Sequence, residues 1–225
     1  MSPKAIYDIS PFTVLDYPDH LAAIFWFAKC NMRCQYCYNK DIVLGEGEIT
    51  YKEALEFLES RVGLLEAVVL SGGEATLASD LAEFCHKIKE WKFKIKLDTN
   101  GLNPILIQLL VESDLVDYIA LDYKAPKEKF LRITKNKHFD DFAKTLNYLI
   151  AKDFPFEVRT TVHSDLLRAQ EINRIIDDLY NRGYQGVYYL QPFLFTDTIL
   201  SKLKEEKSTF EREKLSDKLK VVWRE

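Results

Sequence analysis

Residues 94–98 read Lys94-Ile-Lys96-Leu-Asp98, a short run in which charged and apolar side chains alternate. An alternation with a period of two predicts a β-strand whose charged side chains share one face. Two further strand candidates carry such a face, formed by Tyr118, Ala120 and Asp122 in one and by Glu157, Arg159 and Thr161 in the other. A flat parallel sheet is covered by helices on both faces and is apolar on both. The pattern therefore favours a curled sheet around a polar, partly hydrated interior.

Strand and helix patterns alternate along the chain. Strands are predicted at 21–28, 67–70, 94–98, 118–122, 157–162 and 186–190. Helices are predicted at 50–62, 79–91, 104–113, 139–152 and 168–182, and a last one is predicted around 209–220. Strands joined by single helices form parallel sheets with right-handed crossovers. The fold class expected is α/β, a partial parallel (βα)6 barrel or incomplete TIM barrel. A flat sheet, in which Lys94 and Lys96 snorkel from an edge strand, is the alternative.

Length and composition indicate one ordinary globular domain. The chain has 225 residues, of which 47% are apolar and 29% charged, and it has no long repeat or Gly/Ser linker. We expect a single domain over 1–225, with a core at about 12–195 and a C-terminal helical segment at about 200–225.

Charge and hydropathy exclude several classes of partner. The net charge of −4 offers no global attraction to nucleic acid, so no nucleic-acid partner is expected. The longest apolar run, 21–28, is far shorter than the roughly 20 residues that span a bilayer. The sequence therefore predicts no membrane partner and a cytoplasmic location.

Three of the four cysteines lie within eight positions, as Cys30-Asn-Met-Arg-Cys34-Gln-Tyr-Cys37. Clustered thiols in a reducing compartment bind metal or do redox chemistry more often than they form disulfides. A structural zinc site would need a fourth ligand. Three thiolates instead suit a cubane iron–sulfur cluster with one iron left open for a substrate. The fourth cysteine, Cys85, lies on an apolar helical stripe and is expected to be a buried core residue.

Polar or glycine-rich segments lie at or after the carboxyl end of every predicted strand. They are the cysteine triplet after the first strand, Ser71-Gly72-Gly73-Glu74 after the second, Asp98-Thr99-Asn100-Gly101 after the third, Asp122-Tyr-Lys124 after the fourth, Arg159-Thr160-Thr161 in the fifth and Gln191-Pro192 after the sixth. Parallel α/β barrels carry their chemistry at the carboxyl ends of the strands. The glycines and aspartates could also be simple turn formers. Beside the cysteine triplet we interpret them as binding residues.

The spacing Cys30-x3-Cys34-x-Tyr36-Cys37, followed by Gly72-Gly73-Glu74, resembles the radical S-adenosylmethionine (SAM) superfamily. The resemblance covers about 12–195. Within that superfamily, FTVLDYPDHLAAIFWFAKCNMRCQYCYN, LSGGEATL, KLDTNG, ALDYKAP and VRTTV are similar to the glycyl-radical-enzyme activases, most of all to the activating component of anaerobic ribonucleotide reductase. The fold implied is again a partial (βα)6 barrel.

The resemblance implies a role for each matching residue. Cys30, Cys34 and Cys37 would bind three irons of a [4Fe–4S] cluster. Tyr36 would lie near the adenine of SAM. The methionine amino group of SAM would be received by Gly72, Gly73 and Glu74. A second group of residues would lie near the SAM carboxylate, where a monovalent cation can also bind: Asp98, Thr99, Asp122 and Lys124. Arg159 would make a polar contact to SAM. The sequence departs from the activase pattern at two positions: Tyr38 stands where the activases usually have His, and Ala75 stands where they usually have Pro. Neither change removes a residue that would bind the cluster or SAM.

The activity implied is reductive cleavage of SAM to a 5′-deoxyadenosyl radical, which makes a glycyl radical on a partner enzyme. Flavodoxin or ferredoxin is the electron donor expected by analogy. A small-molecule radical SAM enzyme such as 7-carboxy-7-deazaguanine synthase is the first alternative. A non-catalytic zinc-binding module is the second.

Overall fold

The computed structural model describes residues 4–201, 203–204, 206 and 209–224, and the chain divides into two compact units. The first contains the residues up to Asn31 together with Asp41–Thr99 and Asn103–Ile119. The second contains Met32–Lys40, Asn100–Leu102 and the chain from Ala120 onwards. The single domain over 1–225 stays a prediction.

In the first unit, a parallel sheet is extended by antiparallel strands. Its strands are β1 (Lys4–Thr13), β2 (Ala22–Phe27), β3 (Ile49–Thr50), β4 (Ala67–Gly72) and β5 (Lys94–Thr99). Strands β2, β4 and β5 pair in parallel, whereas β1 pairs antiparallel with both β2 and β3. The helices are α1 (Lys40–Leu44), α2 (Tyr51–Glu59), α3 (Leu81–Glu90) and α4 (Pro104–Glu112). The parallel strands and the last three helices are as predicted, but β1, β3 and α1 were not predicted.

Local sequence explains where two of these helices begin. Helix α2 starts with a capping box in which the Thr50 side chain accepts from the Glu53 amide and the Glu53 side chain accepts from the Thr50 amide. In α4, Pro104 occupies the first turn after an Asn103 cap. In the core, the Tyr51 ring stacks on Phe84 with 4.2 Å between the ring centroids. Both helix starts therefore follow from local sequence.

The second unit continues with parallel strands. Strand β6 (Tyr118–Asp122) begins in the first unit and ends in the second; it is followed by α5 (Lys127–Thr134), α6 (Phe139–Lys152), β7 (Phe156–Val162), α7 (Ala169–Asn181), β8 (Tyr188–Pro192) and β9 (Val221–Trp223). Strands β7, β8 and β9 pair in parallel. Gly183, with a φ of 87°, directly follows the Arg182 cap of α7, at the C′ position where a left-handed conformation favours glycine. No described helix could cross a membrane.

Two charged residues of the predicted strand faces, Lys96 and Glu157, are buried and their charges are paired, whereas Lys94 is exposed. Lys96 is 1% exposed, and its ammonium group donates to the carbonyl oxygen of Asp16 (2.7 Å) and contacts the Asp98 carboxylate (2.8 Å). In the second unit, the Glu157 carboxylate binds the Arg224 guanidinium through two hydrogen bonds of 2.7 and 2.6 Å. Because Lys96 is buried, snorkelling from an edge is excluded for it.

The predicted C-terminal helical segment, about 200–225 with its helix around 209–220, is wrong for the part that the structure describes. There the chain forms a single 3-10 turn at Arg212–Lys214 and then strand β9. Residues 202, 205, 207, 208 and 225 of the segment lie outside the described residues.

Contacts from α7 explain why this segment is not an α-helix. The side chain of Asn173 donates to the carbonyl oxygen of Lys214 and accepts from the amide of Ser216, both at 2.8 Å. These bonds satisfy backbone groups that a helix would pair internally, so tertiary contacts override a weak helix propensity.

Candidate functional site

In the first unit, two glycines allow the end of β4 to pack against the backbone that leads to Cys30. The Gly73 amide donates to the carbonyl oxygen of Phe27 (2.8 Å). A Cβ on Gly73 would lie 1.9 Å from the carbonyl oxygen of Lys29, and a Cβ on Gly72 would lie 2.5 Å from the Phe27 nitrogen. Gly72 also has a φ of 111°, a conformation that favours glycine. The glycines therefore determine the path of the chain just before the first cysteine.

The Glu74 carboxylate is held by two threonine hydroxyls. Glu74 is 2% exposed, and its Oε1 accepts from Thr76 Oγ1 (2.6 Å) and Thr99 Oγ1 (2.8 Å). The Glu74 amide donates to the carbonyl oxygen of Lys29 at 2.9 Å. The side chain and the backbone of Glu74 are thus both fixed at the carboxyl end of β4.

The Asp98 carboxylate lies beside this network and has its own partners. Ser71 Oγ donates to Asp98 Oδ2 (3.0 Å), and the buried Lys96 ammonium contacts Oδ1. The first unit therefore brings together five of the predicted binding residues: Gly72, Gly73, Glu74, Asp98 and Thr99.

In the second unit, the loop with Cys34 and Cys37 is supported by the end of α5. The amides of Arg33 and Gln35 donate to the last two carbonyl oxygens of that helix at 2.7 and 3.0 Å. Carbonyls at a helix C-terminus have no partner within the helix, so they are natural acceptors for a neighbouring loop. The Cys37 amide donates to the Cys34 carbonyl oxygen (3.1 Å) and closes a turn. Both thiols therefore belong to one short, fixed turn.

Two tyrosines of this loop lie beside charged groups. The Tyr36 hydroxyl donates to the carbonyl oxygen of Lys124 (2.8 Å), and the side chain is 3% exposed. Burial, followed by the negative charges of Cys34 and Asp122, raises the pKa of Tyr36 well above its usual value. Burial also raises the pKa of Tyr38, although nearby Arg159 and Lys124 oppose that shift. Both hydroxyls therefore stay protonated at neutral pH.

Asp122 forms a partly buried ion cluster with two cations. Lys124 Nζ contacts Asp122 Oδ2 at 2.8 Å, and Arg159 Nε contacts Oδ1 at 2.5 Å. Burial alone would raise the pKa of Asp122, but the Arg159 guanidinium and the Lys124 ammonium hold it well below its usual range. Burial opposes the charged form of Lys124, yet Asp122 raises its pKa above the ordinary value. All three groups are charged near neutral pH, and the cluster carries a net positive charge.

We expect Asp122→Asn to destabilise the apoprotein by about 2 kcal/mol, because it leaves two partly buried cations without their shared carboxylate. A carboxylate with a lowered folded-state pKa stabilises the fold above its unfolded pKa of about 3.9, and this contribution is lost as the pH falls. The free energy of unfolding should therefore fall less steeply below about pH 5 in the variant than in the wild type. Urea unfolding across pH measures both effects.

The control for this variant is Asp140→Asn, which removes an exposed ion pair with Lys127. It should leave the stability close to that of the wild type, since exposed ion pairs contribute little. Equal stability losses in the two variants would show that the partly buried cluster contributes no more to stability than an exposed ion pair.

The predicted site residues thus fall into two groups. The second unit brings together Cys34, Tyr36, Cys37, Asp122, Lys124 and Arg159, and Cys30 lies in the first unit. All four cysteines carry reduced thiols outside any disulfide, which leaves Cys30, Cys34 and Cys37 available as ligands. Among the described residues, no three His, Cys, Asp or Glu side chains form a ready-made metal site. A donor set of three thiols matches a cubane iron–sulfur cluster with one open iron, whereas a structural zinc site takes four ligands.

The two carboxylates at which a monovalent cation is predicted, Asp98 and Asp122, already have positively charged partners. The role of the cation would be to relieve repulsion between Asp98 and Asp122. In the structure, Lys96 pairs with the first and Lys124 with Arg159 pair with the second. The cation remains a prediction that rests on the resemblance alone.

Cys85 is a core residue, as predicted. Its side chain is fully buried in α3, and burial raises the pKa of its thiol to about 12. A thiol that stays protonated in an apolar core is a poor ligand.

Two residues that contact the site were missed as functional candidates. Thr76 binds the Glu74 carboxylate, and its position two residues after Glu74 was the available signal. Lys29 has a φ of 69° directly before Cys30. No sequence pattern signals a left-handed lysine, because the surrounding hydrogen bonds impose that conformation.

Comparison with known proteins agrees with these observations. The family model of the radical SAM superfamily matches residues 24–179. A protein of Methanocaldococcus jannaschii, named as a glycyl-radical enzyme activating enzyme, is 29% identical over 196 residues, which are 84% of this chain and 80% of the relative. Pyruvate formate-lyase 1-activating enzyme of Escherichia coli is 30% identical over 153 residues, with 62% of this chain and 60% of the relative covered. A 7-carboxy-7-deazaguanine synthase of Thermoplasma acidophilum is 31% identical over 126 residues, 56% of this chain and 54% of the relative.

A solved structure shows the fold. Streptococcus suis SuiB bound to S-adenosylmethionine aligns with a TM-score of 0.65 at 15% identity, over 81% of this chain and 44% of SuiB. This chain therefore spans less than half the length of that protein. The likeness confirms the predicted class, an α/β chain with the partial parallel barrel fold of radical SAM structures.

Proposed function

Because this chain belongs to the radical SAM superfamily, we propose that it is a glycyl-radical-enzyme activase that uses a [4Fe–4S] cluster and SAM. The predicted enzyme class, a radical SAM oxidoreductase, is supported by relatives named as activating enzymes. The observation that carries the proposal is the triplet Cys30, Cys34 and Cys37, all reduced thiols, within a chain that matches the family model. Anaerobic ribonucleotide reductase is the proposed partner, and the cytoplasm is the proposed location.

In this proposal the three cysteines hold the cluster. When bound, the cluster and SAM would supply one-electron cleavage of the S–C5′ bond, with methionine released and a hydrogen atom taken from a glycine Cα. Flavodoxin or ferredoxin would deliver the electron.

The residues of the first unit suit the amino group of SAM. An ionised carboxylate accepts hydrogen bonds only, and an ammonium group donates only. Glu74 is already oriented by Thr76 and Thr99, so little side-chain entropy is lost when it binds. Gly72 and Gly73 help to position this carboxylate, because they let the end of β4 pack against the backbone at Phe27 and Lys29.

The ion cluster of the second unit suits an anionic group. Lys124 and Arg159 contribute two positive charges against the single negative charge of Asp122. The surplus favours the SAM carboxylate, and the fixed guanidinium is an apt donor for it. Tyr36, held through its hydroxyl, is proposed to lie near the adenine.

The test is anaerobic activation of a partner. Reconstituted protein, reductant and SAM should release 5′-deoxyadenosine and methionine. With anaerobic ribonucleotide reductase from the same organism, a doublet-split glycyl radical signal should appear by EPR. The matched control is the reductase with its radical glycine changed to alanine, which should give no signal.

Two outcomes would contradict the proposal. Conversion of a pterin without any protein partner, while glycyl-radical enzymes stay silent, would favour a 7-carboxy-7-deazaguanine synthase activity. Purified protein with one zinc and no sulfide would favour a binding module.

A further inference from the structure

A short segment near the C-terminus is bonded to the loop that carries Cys34 and Cys37. We call residues 198–201 the C-terminal clamp. The Leu200 amide donates to the carbonyl oxygen of Cys37 at 2.8 Å, and Ser201 Oγ donates to the carbonyl oxygen of Gln35 at 2.7 Å. The clamp thus contacts the backbone of one proposed cluster ligand directly.

Two further bonds continue this contact beyond Cys37. Thr198 Oγ1 donates to the carbonyl oxygen of Tyr38 (2.7 Å), and the Lys40 amide donates to the carbonyl oxygen of Thr198 (3.3 Å). Ile199, 9% exposed, anchors the clamp between these bonds. The four hydrogen bonds therefore join the clamp to the whole stretch of loop from Gln35 to Lys40.

The clamp and α5 bond different groups of the same loop. Helix α5 accepts from the loop amides of Arg33 and Gln35, whereas the clamp donates to the loop carbonyls of Gln35, Cys37 and Tyr38. Because a backbone segment with both kinds of group paired has little freedom to rotate, the loop is held in one conformation. Helix α5 supports the side of Cys34, and the clamp supports the side of Cys37.

The clamp lies outside the part of the chain that the family model matches, which ends at residue 179. The cysteine loop lies inside it. The support for Cys37 is therefore supplied by a segment that the family match does not include.

We propose that the C-terminal clamp positions Cys37 as a cluster ligand, and that opening of the clamp makes this thiolate detachable. The role of Cys37 as a ligand rests on the proposed function, but the opening itself is a property of the chain without cofactor. Ser201 is the main positioning residue, because its hydrogen bond is partly buried, while that of Thr198 is exposed to solvent. Water competes less for a partly buried bond.

The experiment compares Ser201→Ala and the double variant Ser201→Ala/Thr198→Val with the wild type. In hydrogen–deuterium exchange of the apoprotein, the peptide over residues 36–40 should exchange about fivefold faster in Ser201→Ala, and faster still in the double variant. After anaerobic reconstitution, iron should be lost to a chelator faster by a similar factor.

Two control variants separate positioning from general damage. Ser216→Ala removes a hydroxyl in the same C-terminal region that accepts from the nearby Lys218 amide, so it should match the wild type. Ser201→Thr keeps a hydroxyl and should restore slow exchange and slow iron loss. Circular dichroism checks that each variant is folded.

Unchanged exchange over residues 36–40 in the double variant would show that the C-terminal clamp does not hold the cysteine loop. Faster exchange with iron loss equal to that of the wild type would overturn its role at Cys37. Wild-type protein that takes up no iron would contradict the proposed function, while the exchange measurement would still decide whether the clamp holds the loop.

Discussion

Alanine in place of Cys30, Cys34 or Cys37 should reduce the reconstituted iron from about four atoms per chain to a trace, because a cubane cluster held by three thiolates does not survive the loss of one. Iron and sulfide assays after anaerobic reconstitution, together with the absorbance of the cluster, measure the loss. The spacing of the triplet, with three and then two residues between its cysteines, makes this expectation specific to these positions.

The matched control is Cys85→Ala, which removes the remaining cysteine of the chain. Cys85 is fully buried in α3, and the substitution should cost only about 1 kcal/mol for the small cavity left behind. Its iron content should equal that of the wild type. Iron loss in Cys85→Ala, or full iron content in any of the other three variants, would mean that the ligand set is wrong.

Gly73→Ala should destabilise the protein by about 3 kcal/mol and reduce cluster uptake, because the new Cβ would lie 1.9 Å from the carbonyl oxygen of Lys29. Such contact with backbone cannot be relieved by rotating a side chain. The Gly73–Phe27 and Glu74–Lys29 hydrogen bonds would have to lengthen, and the chain before Cys30 would shift. Thermal unfolding and reconstituted iron content measure the two effects.

Gly183→Ala provides the comparison for that variant. Gly183 has a φ of 87°, but no described atom lies within 4 Å of the position that a Cβ would take there, so only backbone strain of about 1 kcal/mol is expected. Equal destabilisation at the two positions would show that the close approach at Gly73 is not the cause.

Most of the parallel strands and several helix starts could be predicted because their sequence signals are local. The capping box at Thr50 and the proline at 104 define helix starts within a few residues, and both are found. Strand β1 was missed because its stability comes from pairing with β2 and β3, which no local pattern encodes. The C-terminal helix was wrong for the same reason, since the Asn173 side chain decides the conformation from 41 residues away.

The sequence predicts which residues form the site, but it does not predict the charge balance around them. The alternation at 94–98 correctly places Lys96 and Asp98 on one strand face. It does not reveal that they form an ion pair, because pairing depends on which side chains are buried together.

Strand β9 covers the edge of the sheet at β8. Its three residues pair in parallel with β8, and Arg224 just beyond them bonds Glu157 and lies 3.6 Å over the Tyr189 ring. A long open strand edge invites another chain to add on, whereas a short edge strand with a charged end does not. The last described residues therefore cover the edge of β8. A C-terminal fusion partner that displaced β9 would leave the backbone groups of β8 unpaired, and we expect such a fusion to promote aggregation.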